Sequence, residues 1–310
     1  MFKLGRTRPP CPLGLVASAA LIIGSLGGCA APPVDDGLPQ VVASVYPLAW
    51  VAAAVVGDAA DVVTLVPPGT EPHDYELTPR QIVQLGQAAL VVYQRGVDAA
   101  IDAAIDQAHP ASVVETGSLV DLLPASGEEA GTSGPYAMDP HTWLDPANMV
   151  VFARAIADAL TRVDPAGATG YRARADAVVQ QLSSLDADLR TGLGTCRTST
   201  FLTTHAAFGY LARAYGLTQL AIAGVTPEDE PSPRRLAELA MKARDLGLTT
   251  VFFETLVSPA YATTLADDLG LRTDVLDPIE GVSSASRGAD YLEIMRANLE
   301  SLRTANGCAT

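Results

Sequence analysis

The sequence predicts an α/β protein of two lobes. Each lobe is a four-stranded parallel sheet with flanking helices, and a long rigid backbone helix joins them. Three observations predict this. From residue 40 onward, short β-rich runs alternate with amphipathic stretches, the pattern of parallel sheets covered by helices. Hydrophobic residues make up 48% of the 310, yet aromatics only 5%, so Ala, Val and Leu carry the apolar content. That composition suits helices packed on buried parallel strands. Finally, a helical pattern runs through residues 171–191 without Gly or Pro.

The elements follow in order. Residues 41–45 read as a strand, and Pro47 opens a helix that Gly57 stops. A second strand covers 62–66. Thr78 and Pro79 start a helix, as N-cap and first helical residue. Strands at 89–93 and 112–115 flank a helix near 98–108. Residues 124–137 are polar and Gly-rich, hence a loop. A helix spans 146–163. In the next, Tyr171, Ala175, Val178, Val179, Leu182, Leu185 and Leu189 recur every three or four residues, one helical face. The rhythm then resumes with strands at 199–203, 218–223, 250–254 and 272–276. Helices are expected near 206–215, 233–246, 259–269 and 288–304. The expected organisation is 40–165 for the first lobe, 166–193 for the linking helix and 194–310 for the second lobe.

Residues 1–28 read as a leader to be removed. Lys3, Arg6 and Arg8 precede an apolar run too short and Gly-rich for a comfortable membrane span. Leu26-Gly27-Gly28-Cys29 resembles a bacterial lipobox, in which the cysteine carries the lipid. Residues 29–39 then form a tether, and the mature protein is expected outside the cytoplasm, anchored to the cell membrane. Cys11 leaves with the leader and Cys29 is acylated. Cys196 and Cys308 remain as an even pair in an oxidising compartment, which predicts a disulfide. Free thiols or a metal site are the alternatives.

The formal net charge is −15, from 35 acidic and 20 basic residues. This argues against nucleic acid as a partner, because phosphate binding needs a basic face. It is compatible with attracting cations, though acidic surfaces also serve solubility. The four histidines are more informative. Ligands of open parallel sheets bind beyond the carboxyl ends of the strands. His73, His141 and His205 follow strands in this way, and so does Asp277. Two of these residues come from each half, so a site built from them lies in the cleft between lobes. Three imidazoles and a carboxylate suit zinc, and replacing an imidazole by oxygen shifts preference toward Mn(II). The alternative is that each histidine caps a helix or packs against a loop. His109 precedes Pro110 at the opposite strand edge and reads as structural or solvated.

Four segments carry a resemblance: Gly69 to Glu76, Asp139 to Pro146, Thr204 to Tyr210, and Glu228 to Pro233. In order and together, across 40–305, they resemble the cluster A-I solute-binding lipoproteins of bacterial zinc and manganese ABC importers. The resemblance implies a two-lobed fold with a helical backbone. It also implies a cleft metal held by His73, His141, His205 and Asp277, and a disulfide like the one expected for Cys196 and Cys308. Manganese-type members have Glu where His205 stands, so the resemblance favours Zn2+ over Mn(II) or Fe(II) as cargo. The loop before His141 lacks the His-rich tract of many zinc members. Glu228 and Glu230 would lie near the cleft mouth and assist passage, or simply form a charged loop before a helix capped by Ser232. Asp139 and Asp145 flank His141, where either could orient an imidazole or cap the helix at Pro146.

The implied partners are a membrane permease, its ATPase and a loading zinc chaperone, with the chain itself a monomer. An enzyme is not expected, since no His-Glu-x-x-His pair is present and Asp277 would close the metal shell. A surface adhesin is a third class, for which no adhesive patch is visible.

Overall fold

The computed structural model describes residues 40–126, 137–227 and 231–309. The leader, the tether, Cys29, Glu228, Glu230 and most of the loop at 124–137 lie outside the described residues. Two parallel sheets are present, each of four strands. The first contains β1 (Val41–Ala43), β2 (Val62–Thr64), β3 (Leu90–Tyr93) and β4 (Val113–Glu115), in the order β2-β1-β3-β4. The second contains β5 (Thr200–Thr203), β6 (Thr218–Ala221), β7 (Thr250–Phe253) and β8 (Arg272–Val275), in the order β6-β5-β7-β8. The two halves therefore repeat one topology without a strict sequence repeat. Each strand is within a residue or two of its expected range, and the short runs of β-branched and apolar residues explain why.

Among the described residues are nine α-helices, five of which start at a side-chain cap. These are α1 (Tyr46–Val56), α2 (Pro79–Gln87), α3 (Ala99–Ala108), α4 (Pro146–Val163), α5 (Ala168–Leu193), α6 (Gly209–Tyr215), α7 (Pro233–Asp245), α8 (Ala260–Leu269) and α9 (Tyr291–Asn306). Thr78 and Gln81 form a capping box at α2, Asp98 caps α3, and Ser232 caps α7. Asp145 accepts from Ala147 N, so it caps α4. Asp290 caps α9, which begins at Tyr291 rather than near 288. His109 is the left-handed C-cap of α3 and is exposed.

The 26-residue α5 is about 39 Å long at 1.5 Å per residue. Its buried stripe is Tyr171, Ala175, Val178, Leu182, Leu185, Leu189 and Leu193. Arg174 fastens the helix to α1 by donating to Val55 O at 2.7 Å. One apolar cluster runs from the first sheet through α5 to Phe201, Phe208, Leu211 and α9. A second, centred on Leu202, Ile222, Leu239 and Val251, belongs to the second sheet and its helices. The shared cluster welds the two halves along α5. Polar contacts add to this. Trp143 Nε1 donates to Pro278 O at 2.8 Å, and Tyr291 OH donates to Trp143 O at 2.6 Å.

Cys196 and Cys308 form a disulfide across 112 residues, tying the chain after α9 to the turn after α5. No helix among the described residues is long and apolar enough to cross a membrane.

Candidate metal site

Four donor side chains meet beyond the carboxyl ends of the strands. His73 lies in the loop after β2. His141 precedes a 3-10 turn at Thr142–Leu144, and His205 lies in the loop between β5 and α6. The fourth donor is Glu280, after β8. Their ligating atoms all lie within 4.8 Å of one another, and all four residues are buried. Exposure of each is 0–1%.

Each ring is held from behind at Nδ1. His73 Nδ1 donates to Val97 O at 2.8 Å. His141 Nδ1 donates to Asp139 Oδ1 at 2.8 Å. His205 Nδ1 donates to Glu254 Oε1, which also accepts from Thr204 Oγ1 at 2.9 Å. With Nδ1 committed, all three rings turn Nε2 inward, the arrangement that fixes tautomer and orientation in histidine metal sites. Glu280 Oε1 lies 3.4 Å from His73 Nε2, 2.9 Å from His141 Nε2 and 3.5 Å from His205 Nε2. A tetrahedral ion with bonds of about 2.0–2.1 Å spaces its donors about 3.3–3.4 Å apart. Two of the three contacts match that spacing, and the shortest is a hydrogen bond. His205 Nε2 and Glu280 Oε2 are buried without a hydrogen-bond partner. Buried polar atoms are nearly always satisfied, so these orphans point to a bound cation.

The electrostatics agree. Burial opposes charge on His141, but Asp139 and Glu280 outweigh it and raise its pKa. Burial likewise opposes charge on His205, and Glu254 with Glu280 raises that pKa well above the ordinary value. Burial pushes Glu280 up, yet hydrogen bonds from the three histidines bring it well below the usual carboxylate range. Glu71, two residues before His73, is pushed up to about 7 by burial, with Glu280 adding repulsion and His73 opposing it.

Asp277 is not in the cluster, and this corrects the expected ligand set. Its Oδ2 accepts from Thr255 Oγ1 at 3.0 Å and its Oδ1 from Ile279 N at 2.8 Å. Its backbone pairs with Asn298 in both directions. Both carboxylate oxygens are thus taken by hydrogen bonds, and the one to Ile279 N shapes the turn that delivers Glu280. Ile279 takes a left-handed conformation there, φ 62°, a costly one for a β-branched residue. That turn aims the carboxylate of the next residue, Glu280, at the histidines. The segment Asp277-Pro278-Ile279-Glu280 offers two acids after one strand, and strand-end reasoning stops at the first. The helix after His205 starts later than the expected 206, since α6 begins at Gly209 and the loop from Thr204 to Phe208 carries the ring. Of the two flanking aspartates, Asp139 touches the imidazole and Asp145 caps α4. Glu254 had no local signal, because it is 49 residues from His205 in sequence.

A profile of zinc-uptake complex component A periplasmic, ZnuA, matches residues 41–305. The chain belongs to the ZnuA family. It is 33% identical over 307 residues to the high-affinity zinc uptake system protein ZnuA of Bacillus subtilis, covering 94% of this chain and 96% of that protein. It is 33% identical over 298 residues to the zinc-binding lipoprotein AdcA of Streptococcus pneumoniae R6. That match covers 92% of this chain but 59% of AdcA, which is the longer protein. The crystal structure of the Zn(II)-bound ZnuA-like domain of S. pneumoniae AdcA matches with TM-score 0.74 at 32% identity. It covers 87% of this chain and 99% of that domain. The two-sheet architecture is that of the ZnuA family.

Proposed function

We propose that this chain is the extracytoplasmic zinc-binding component of an ABC importer. It captures Zn(II) and delivers it to a membrane permease, with an ATPase driving uptake. The observation that carries this is the sealed cluster of His73, His141, His205 and Glu280. Three imidazoles and one carboxylate form a complete tetrahedral set for zinc. A catalytic zinc site keeps one position open for water; here Glu280 occupies it, so the chemistry favours capture over hydrolysis. The names of the relatives, a zinc uptake protein and a zinc-binding lipoprotein, support the same cargo. In this reading Cys29 carries the lipid anchor, the chain acts as a monomer, and a chaperone loads it.

The test is metal competition on the stripped protein. Equimolar Zn(II), Mn(II), Fe(II), Cu(II) and Ni(II) are offered anaerobically and bound metal is counted by mass spectrometry. One zinc per chain is expected, lost in His205→Ala and Glu280→Ala and kept in His109→Ala. Retention of manganese or iron in place of zinc overturns the cargo.

A further inference from the structure

The four donors of the cluster have side-chain exposures of 0–1%. An ion reaching them must cross a protein layer, and among the described residues Glu71 is a partly exposed acid beside the cluster. Glu71 keeps 15% exposure while its Oε1 lies 4.0 Å from His73 Nε2. Its other oxygen, Oε2, accepts from the backbone N–H of His73 at 2.9 Å, which holds the carboxylate in place. Oε1 is buried and has no hydrogen-bond partner. An unpaired buried carboxylate oxygen is costly unless it has a task. Pro72 separates Glu71 from His73 and fixes the chain between them. The same loop closes against the segment after Glu280. A Cβ placed on Gly281 would meet Thr70 O at 3.5 Å.

We propose that Glu71 is a transfer ligand, a fifth protein donor that takes the ion before the cluster closes on it and holds it again as it leaves. This rests on the zinc-carrier reading above. Zinc passes through five-coordinate states without difficulty, so a carboxylate at this distance can exchange with water on one side and with an imidazole or Glu280 on the other. A group that assists exchange speeds both directions and leaves the equilibrium nearly unchanged. A resident ligand would instead act on the dissociation rate and the affinity.

Stopped-flow mixing of stripped full-length protein with chelator-buffered Zn(II) gives the loading rate. A challenge with excess EDTA gives the release rate. Glu71→Gln keeps the size and the acceptor for His73 N–H but removes the charge. Both rates are expected to fall about tenfold in it, with Kd changed less than about threefold. Glu76→Gln, an exposed acid on the same loop, removes equal charge and should leave both rates as they are. Glu71→Asp keeps a carboxylate and should load faster than Glu71→Gln. The proposal is overturned if Glu71→Gln leaves both rates unchanged. It is equally overturned if Kd weakens through faster release alone, or if Asp and Gln variants load equally slowly. Absence of zinc binding in the wild-type protein, read first, overturns the carrier reading itself.

Discussion

Asp139 Oδ1 accepts from both the backbone N–H and the ring Nδ1–H of His141, at 2.9 and 2.8 Å. One oxygen thus sets the backbone and the imidazole together. Partners that hold a ligating histidine from behind are typically worth 10–100-fold in metal affinity. Asp139→Ala is expected to weaken zinc by about that factor, measured by chelator competition. An unchanged affinity would mean that the ring is oriented by packing against Trp143, 5.4 Å away.

Gly209 offers a subtler probe of the same pair. A Cβ at this position would lie 2.6 Å from Asp139 Oδ2. Gly209→Ala should displace the carboxylate and lower zinc affinity, with far-UV circular dichroism unchanged because Ala favours helix. Wild-type affinity in this variant would show that Asp139 swings aside freely.

Asp277 and Glu280 separate by phenotype. Glu280→Gln should lose most zinc affinity and keep its fold. Asp277→Ala removes buried bonds to Thr255 and Ile279, each lost bond being worth roughly 1–3 kcal/mol. Its thermal midpoint should drop, and the zinc it loses should follow from a misplaced turn. Equal zinc loss at full stability in both variants would restore Asp277 as a ligand.

The pH dependence has a definite sign. His141 and His205 have pKa values raised above the ordinary imidazole range. Their contribution to metal-free stability is fully present below the unfolded value near 6.5 and is lost as pH rises through the raised folded values. Glu280 is depressed, so its contribution holds above the unfolded carboxylate value and is lost as pH falls through the folded one. Zinc takes the place of protons on the histidines. Affinity should therefore fall at least about tenfold from pH 7.5 to 5.5, and the thermal shift given by zinc should shrink with it. A flat profile would argue against imidazole ligands.

The disulfide is remote from this chemistry in role. Replacing Cys196 and Cys308 by Ser should destabilise the protein by roughly 2–5 kcal/mol. Zinc stoichiometry at 25 °C should stay the same. Loss of zinc without loss of thermal stability would assign the pair a different task.

Much of the fold was legible in the chain. Most strands are rich in Val, Leu, Phe and Thr, and Thr78 and Ser232 mark helix starts by short-range chemistry. The α5 stripe is written in spacing alone. His73, His141 and His205 were legible because each follows a strand, and strand ends of parallel sheets converge. The start of α6 was less so, since Ala206 and Ala207 fit a helix but pack as buried loop instead.

By itself, the sequence determined the two-sheet architecture, the long helix, the cysteine pairing and three of the four clustered donors. These depend on periodicity, caps and residue type, which act over a few positions. Only the tertiary structure decided between Asp277 and Glu280, and brought Glu254 behind His205 and Glu71 beside His73. Those choices rest on a left-handed turn at Ile279 and on contacts between residues far apart in the chain. Which carboxylate faces a cation is a matter of direction in space, and no local pattern of residues encodes it.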